Sequence, residues 1–399
     1  MTLSYSFWQE ICWPLALFVG WIAGEFLHAR LNIPKISTYA ITGFLLGLSG
    51  FADKDPSTSD LKLLVANLAL GLLLFEAGYR TNLRWIKRNV GILLAMLTEV
   101  FITFTSVFWA ATIWGQETIN ALLLATLCVA TSPATVIRVM HEMKSSGQLT
   151  ERIIHHAVFS SIAAVLALKI IVGWIAYDTS ENLLNAASSS FFVMIASISI
   201  GVAAGKIIPA LLRAMHRTQR DSNLAFSIAV IFLVALTHEM KWSPILATMI
   251  FGLTARHNRI IFSPSQGGFG VMGELLAMFL FIFVASQLDW SLVVSGLAFG
   301  VILIFVRLLS KVAGNTLWAR FSGTSIKKGA LTGIACAPLS AVAILLLEQT
   351  RYQGLDLTEQ LAPLTAAAFL LEILGPLLVQ RALILADEIP GNRKSNDAT

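Results

Sequence analysis

Long apolar stretches recur throughout this chain and restrict its fold more than any other feature. A helix needs about 20 apolar residues to cross a hydrocarbon layer of about 30 Å. Of the 399 residues, 56% are hydrophobic and 13% are charged, which excludes a disordered chain and argues against a soluble enzyme. The sequence therefore predicts an all-α polytopic membrane protein with about 13 transmembrane helices. The candidate spans lie at roughly 9–28, 34–51, 61–79, 90–114, 119–141, 153–176, 188–212, 223–238, 243–258, 269–287, 291–317, 328–348 and 359–384.

Positive charges concentrate at one end of the predicted spans. Of the 28 Lys and Arg residues, twenty lie in loops after odd-numbered spans or in the C-terminal tail, four lie in loops after even-numbered spans, and four lie within spans. Because cytoplasmic loops retain Lys and Arg during insertion, this asymmetry predicts a multi-pass protein of the cell (inner) membrane with its N-terminus outside and its C-terminus in the cytoplasm. We expect residues 1–386 to form one transmembrane unit and residues 387–399 to form a short cytoplasmic tail.

Two predicted spans contain a helix breaker near their middle. The fifth reads TSPAT at 131–135, and the twelfth reads CAPLS at 336–340. In hydrocarbon such breaks are tolerated only where protein or a water-filled cavity surrounds them. The two spans run in opposite directions, a pattern typical of inverted-repeat transporters with a site near mid-membrane, although each proline alone could simply kink a packed helix. The candidate ion-binding residues here are Thr131, Ser132, Pro133, Thr135, Pro338 and Ser340.

Ionisable side chains within spans are costly and are therefore candidates for function. Arg307 and Glu372 are predicted at similar depths, where they form either a buried packing pair or part of a transport site. Lys311, one helical turn deeper than Arg307, is expected to extend to the inner surface, with a role in the site as the alternative. Glu76 and Glu99, in the third and fourth spans, are either solvated or paired at helix ends or belong to the site.

The chain resembles the sodium/proton exchanger superfamily, particularly the bacterial monovalent cation:proton antiporter-2 branch. The resemblance implies thirteen helices, a homodimer, and a mobile core domain that rocks against a panel of dimerisation helices. It assigns spans around 119–176 and 328–384 to the core, with broken helices that cross near Pro133 and Pro338. The matching stretches are Tyr39 to Gly50, Leu68 to Gly78, Ala125 to Arg138, Leu233 to Arg256 and Ala330 to Leu347.

One departure from the family concerns its central acidic pair. The family's sixth span carries Asp-Asp, Asn-Asp or Gln-Asp, whereas this chain has Ser160 and Ser161. A serine hydroxyl can coordinate Na⁺ or K⁺ but does not exchange a proton near neutral pH. In a first hypothesis Glu372 supplies the missing carboxylate, held or released by Arg307. In a second, Glu76 or Glu99 does so. In a third, the chain is an uncoupled cation carrier, an anion carrier or a non-transporting relative.

The function predicted from the sequence is antiport of a monovalent cation, Na⁺ or K⁺, against protons by alternating access. His155 and His156 open the sixth span and are expected to be interfacial anchors, with pH sensing as the alternative. A membrane-embedded hydrolase built from His155 and Ser160 is disfavoured, because five residues separate them on a helix. The sequence shows no metal-ligand cluster, phosphate loop or nucleic-acid patch. We therefore expect no enzyme activity, no cofactor, no resident metal and no nucleic-acid partner.

Overall fold

The computed structural model describes residues 5–49, 56–179, 183–215, 219–257, 269–339, 343 and 361–390. Within these residues the chain is helical, with no strand beyond one isolated backbone bridge between Thr131 and Leu339. The helices are α1 Tyr5–Leu31, α2 Lys35–Leu48, α3 Pro56–Arg80, α4 Leu83–Arg88, α5 Val90–Ile113, α6 Thr118–Val129, α7 Pro133–Met143, α8 Gln148–Thr179, α9 Leu183–Ala214, α10 Gln219–Glu239, α11 Pro244–His257, α12 Gly270–Ser286, α13 Trp290–Leu317, α14 Ile326–Ala335 and α15 Ala362–Leu385.

The all-helical membrane architecture predicted from the sequence is confirmed. Eight of the described helices are long and apolar enough to cross a membrane, and three shorter apolar helices, α2, α6 and α12, accompany them. Every predicted span corresponds to one or two of these helices, although the count of thirteen crossings is not fixed by the structure. The sequence did not predict α4, a six-residue helix that follows α3.

Helix burial separates the centre of the bundle from its periphery. In the most apolar 18-residue stretch of α3, 72% of the residues are buried, whereas in the corresponding stretch of α9 only 17% of the residues are buried. Outward-facing side chains on other helices are large and apolar: Phe101 is 68% exposed and Ile113 is 83% exposed. Such surfaces are stable only against lipid, so the exposed faces mark the membrane-facing side of the bundle.

Helix packing brings the broken segments into the middle of one group of helices. Helix α13 packs against α5, α14 and α15, while α6 packs against α5 and α8. A second group consists of α3 packed with α10, α11 and α12, with α9 against α11. Helices α1, α2 and α12 also contact one another.

The start of the predicted tail is part of the helix bundle. Glu388 is only 4% exposed, and its carboxylate accepts hydrogen bonds from the backbone N–H groups of Leu149 and Thr150 at the start of α8, each at 2.8 Å. Lys328 Nζ lies 3.2 Å from the same carboxylate. Burial alone raises the pKa of Glu388, but these hydrogen bonds outweigh it and hold the pKa below its ordinary value. Glu388 thus connects the ends of α8, α14 and α15.

Candidate functional site

The break between α6 and α7 follows directly from its sequence. Helix α6 ends at Val129, and α7 begins at Pro133, which has no N–H to donate and therefore fits the first position of a helix. Ser132 caps α7, since its hydroxyl accepts a hydrogen bond from the backbone N–H of Thr135 at 3.2 Å. Thr131 is left between the two half-helices, and its backbone groups are free to bond elsewhere.

The second break meets the first. Helix α14 ends at Ala335, and the segment after it runs antiparallel to the first break, where Thr131 and Leu339 form the isolated bridge. The N–H of Ser132 donates to the carbonyl of Pro338 at 3.1 Å, and the Thr131 hydroxyl donates to the carbonyl of Cys336 at 3.2 Å. The predicted crossing of two broken helices is therefore confirmed. Ser340, also predicted for this site, lies outside the described residues.

Arg307 of α13 holds the carbonyl ends of both breaks. Its guanidinium donates to the carbonyls of Cys128 and Ala130, each at 2.8 Å, and to the carbonyl of Pro338 at 3.1 Å. It also bonds to the carbonyls of Cys336 and Ala337. Helix C-termini carry unpaired carbonyls and partial negative charge, so a cation is favoured here. At 2% exposure, Arg307 replaces the hydrogen bonds that the broken helices lost.

Lys311, one turn further along α13, lies in a cluster of oxygen atoms. Its ammonium forms a close ion pair with the carboxylate of Glu99 in α5. It also donates to the Val129 carbonyl and to the Thr131 hydroxyl, each at 3.0 Å. Lys311 and Glu99 are both 0% exposed. The prediction that Lys311 extends to the inner surface is wrong, because pairing with Glu99 and the helix-end carbonyl compensates its charge in place.

Two glycines allow the helices to approach closely at this pair. A Cβ atom on Gly314 of α13 would lie 2.6 Å from the Cα atom of Glu99, and one on Gly333 of α14 would lie 2.7 Å from the carbonyl oxygen of Lys311. Real Cβ contacts are not this short, so any larger residue would push α5 or α14 away from α13. The glycines therefore set the distance at which Lys311 reaches Glu99.

The two serines in place of the family's acidic pair hold the first break in position. Ser160 accepts a hydrogen bond from the N–H of Thr131 at 3.2 Å, and Ser161 donates to the Thr131 carbonyl at 2.8 Å. Both are 0% exposed. Their hydroxyls thus satisfy the backbone of the unwound residue without adding charge.

Glu372 does not form the pair with Arg307 that its depth suggested. It is 3% exposed, its Oε1 atom has no hydrogen-bond partner, and no ion pair links it to Arg307 among the described residues. Its helix nevertheless reaches the crossing, because a Cβ on Gly375, one turn further along α15, would lie 3.0 Å from the Cα atom of Pro338. The prediction was wrong because the guanidinium is fully used by carbonyls.

Glu76 belongs to a separate cluster. Its carboxylate lies 2.9 Å from Arg80 Nη2 in the same helix and 3.0 Å from His141 Nε2 of α7. Those partners make it a buried, paired contact between α3 and α7. No hydrogen bond or ion pair within the described ranges connects Glu76 to Lys311 or Arg307.

Sequence reasoning named Glu99 only as an alternative and did not pair it with Lys311. His156 Nδ1 lies 3.4 Å from the second carboxylate oxygen of Glu99. Both His155 and His156 are buried, at 1% and 2% exposure, so the prediction of interfacial anchors was wrong. A signal was available: Glu99 in the fourth span, His156 at the start of the sixth and Lys311 in the eleventh are ionisable groups that each need a partner in hydrocarbon.

The oxygen atoms around Lys311 are of the kind that bind alkali cations. A carboxylate, a backbone carbonyl and a hydroxyl surround the ammonium, and hard cations such as Na⁺ or K⁺ prefer oxygen ligands of these types. Among the described residues there is no group of three or more His, Cys, Asp or Glu side chains that could hold a metal ion. The ammonium of Lys311 thus occupies a position whose ligands could also surround a monovalent cation.

Known proteins of similar sequence are antiporters by name. The chain is 21% identical over 380 residues to the Na⁺/H⁺-K⁺ antiporter GerN of Bacillus cereus, covering 94% of this chain and 95% of that protein. It is also 21% identical over 376 residues to a Na⁺/H⁺ antiporter of Enterococcus hirae, covering 91% and 95% of the two chains.

The fold also matches a solved structure. The sodium proton antiporter MjNhaP1 of Methanocaldococcus jannaschii, determined at pH 8, superimposes with a TM-score of 0.62 over 96% of both chains at 17% sequence identity. Residues 15–384 match the family described as "Sodium/hydrogen exchanger, transmembrane". Since this match extends over nearly the whole chain, the protein belongs to the transmembrane sodium/hydrogen exchanger family.

Proposed function

We propose that the protein is a secondary active transporter that exchanges a monovalent cation, Na⁺ or K⁺, for a proton by alternating access. Membership of the exchanger family and the names of its relatives support this function. The observation that carries the proposal is the position of the Lys311 ammonium at the crossing, surrounded by the Glu99 carboxylate, the Val129 carbonyl and the Thr131 hydroxyl.

Charge balance in this pocket couples the cation to the proton. Glu99 carries one negative charge, which neutralises either the protonated ammonium of Lys311 or a bound Na⁺ or K⁺, but not both. A cation that enters takes the place of the ammonium, and Lys311 releases one proton as it becomes a neutral amine. One charge enters and one leaves, so the exchange is electroneutral. Desolvation penalises any state with an unbalanced charge.

Arg307 and the two serines have a different task in this proposal. Arg307 keeps its charge throughout, since guanidinium does not lose its proton in proteins. Its bonds to five carbonyls support a fixed role that holds the crossing together. Ser160 and Ser161 keep Thr131 unwound, so that its hydroxyl and the neighbouring Val129 carbonyl face the exchange position.

Glu372 is a second candidate for the proton-carrying group. An unpaired carboxylate in hydrocarbon is costly, so a buried carboxyl without a partner is stable there in its neutral, protonated form. That state supports a role in proton movement, as the sequence suggested. Glu99 has more support as the coupling group, because it pairs with Lys311, whose ammonium also binds the Val129 carbonyl and the Thr131 hydroxyl at the crossing.

The alternative of an anion carrier has less support. It needs Arg307 to be available to an anionic solute, whereas its guanidinium donates to backbone carbonyls of both breaks. An uncoupled carrier or a non-transporting relative would keep the fold without the exchange described above.

The experiment is ΔpH-driven exchange in proteoliposomes that contain a fluorescent pH indicator, with Na⁺ or K⁺ added outside. The wild-type protein is expected to move protons when either or both cations are added, and Glu99→Gln is expected to abolish the response. Glu117→Gln removes an exposed glutamate at the start of α6 and serves as the matched control. Wild-type-like exchange by Glu99→Gln, or no exchange by the wild-type protein with either cation, would contradict the proposal.

Assembly and orientation complete the proposal. A homodimer in the inner membrane, with a core domain around 119–176 and 328–384 that moves against the other helices, follows from the family resemblance. An N-terminus outside and a C-terminus in the cytoplasm are supported by the distribution of Lys and Arg between loops.

A further inference from the structure

A small basic cavity lies where α3 and α11 end and α4 begins, away from the crossing. Its volume is about 160 Å³, and the polar residues that line it include Thr81, Asn82, Arg84, Arg256 and His257. Among the described residues, no carboxylate lines this cavity. It is not part of the exchange site, and the proposed function gives it no role.

The two arginines at this cavity form no ion pair with a carboxylate of the described residues. Arg84 Nη2 lies 3.4 Å from His257 Nε2. Arg256 donates one hydrogen bond to the carbonyl of Tyr79 at 2.9 Å. Glu151 interacts with Arg256 electrostatically, yet within the described part of the chain no carboxylate forms an ion pair with Arg84 or Arg256. Two guanidinium groups that line one cavity and form no carboxylate ion pair within these residues favour an anionic ligand.

The surroundings of the cavity are those of a membrane surface. Helix α4 has the sequence LRWIKR, so three apolar and three cationic side chains lie within six residues. Leu83 is 42% exposed and Val90 is 61% exposed, and Arg84, next to Leu83 in the chain, is exposed as well. A short segment with exposed apolar and basic residues at the end of a span lies at the level of the lipid headgroups.

We propose that this cavity binds the phosphate group of an anionic phospholipid. Guanidinium groups bind phosphate oxygens through two parallel hydrogen bonds, and basic pockets between transmembrane helices are suited to anionic headgroups. Thr81 and Asn82 also line the cavity. Free phosphate has the same chemistry, but the exposed Leu83 and Val90 favour a ligand whose phosphate carries acyl chains.

Basic residues near a span also help to set the orientation of that span during membrane insertion, and that role needs no bound ligand. The two roles differ in specificity. A topology signal depends on the number of charges, whereas a headgroup site depends on Arg84 and Arg256 in particular. A control that removes the same number of charges elsewhere therefore separates them.

The test measures lipid binding to the purified full chain by native mass spectrometry, with phosphatidylglycerol and phosphatidylcholine as probes. The wild-type protein is expected to retain phosphatidylglycerol in preference to phosphatidylcholine. Arg84→Gln/Arg256→Gln is expected to weaken phosphatidylglycerol binding by about tenfold or more, since each basic residue contributes about tenfold or somewhat less at a membrane surface. The control Arg320→Gln/Lys327→Gln removes two exposed charges that do not line the cavity and is expected to bind like the wild-type protein.

Three results would contradict the proposal. Equal weakening by the control pair would assign the effect to net charge, and unchanged binding by Arg84→Gln/Arg256→Gln would exclude the cavity. Competition by inorganic phosphate at the same concentration as the lipid would assign the site to free phosphate. If the double variant does not fold, Arg84→Gln alone, which changes an exposed side chain, is expected to weaken binding several-fold.

Discussion

Two buried glutamates near the crossing have opposite surroundings. Glu99 in α5 is 0% exposed and contacts Lys311 and His156, whereas Glu372 in α15 is 3% exposed and its Oε1 atom has no partner. The same side chain at similar burial is therefore held as an ion pair in one place and as an isolated carboxyl in the other. Partners, and not depth in the membrane, decide which group can exchange a cation for a proton.

Removing the charge of the paired glutamate is expected to have the largest effect. Glu99→Gln leaves Lys311 buried without its counter-ion, and breaking a buried pair costs about 3–5 kcal/mol. The cation pocket also loses the one formal negative charge that the described residues give it. Cation/proton exchange in proteoliposomes should fall by at least about a hundredfold, because a bound cation would then lack a carboxylate to balance its charge, and an unbalanced buried charge costs several kcal/mol.

A double variant separates loss of function from loss of folding. Glu99→Gln/Lys311→Met removes both charges and should recover much of the thermal stability that Glu99→Gln loses, without recovering exchange. If the double variant is as unstable as the single one, Glu99 and Lys311 do not act as a pair.

Arg307→Lys tests whether the crossing depends on the guanidinium. Lysine keeps the charge but cannot reach carbonyls of both breaks at once, so we expect a loss of about 3 kcal/mol of stability, the value of one or two hydrogen bonds from a charged donor. Thermal unfolding in detergent measures it, with Arg320→Lys at an exposed position as the control. A melting temperature equal to that of the wild-type protein would show that the carbonyls find other partners.

Glu388 extends the comparison to a paired carboxylate outside the spans. Because its folded-state pKa is lowered, its contribution to stability is present above its ordinary pKa of 4.5 and is lost as the pH falls through the lowered value. Glu388→Gln should cost about 1–2 kcal/mol near neutral pH, the value of charged hydrogen bonds to the start of α8. Thermal unfolding of both proteins across this pH range should give curves that converge in acid, and a constant difference would contradict the assignment.

The unpaired glutamate should give the smallest effect. Gln resembles the protonated carboxyl in shape and charge, so Glu372→Gln should change stability by no more than about 0.5 kcal/mol, as for substitutions that break no contact. Exchange should persist within a few-fold of the wild-type rate. Abolished exchange in Glu372→Gln, with the fold intact, would return the proton-carrying role to Glu372, as the sequence first suggested.

The sequence was sufficient to predict the crossing because the chemistry is local. Pro133 and Pro338 remove backbone donors, and neighbouring hydroxyls offer replacements, so both breaks can be read from a few residues each. Their opposite directions follow from the number of spans between them. The family resemblance then placed them together.

The partners of the charged residues were not predictable in the same way. Arg307 was paired with Glu372 from depth alone, yet depth does not give the rotation of a helix about its axis. That rotation is set by packing at Gly314 and Gly333, which brings α5 and α14 against α13. The packing of α13 against α5 brings Lys311 to Glu99. The hydrogen bonds of Ser160 and Ser161 to the Thr131 backbone depend in the same way on how α8 lies against the first break.

The most direct test of the exchange at Lys311 is proton release from purified protein in weakly buffered detergent solution when Na⁺ or K⁺ is added. The wild-type protein should release close to one proton per chain, whereas Glu99→Gln and Lys311→Met should release none, and Glu372→Gln should behave like the wild-type protein. Undiminished cation-induced proton release from Lys311→Met would contradict the account, because the proton would then come from a different group.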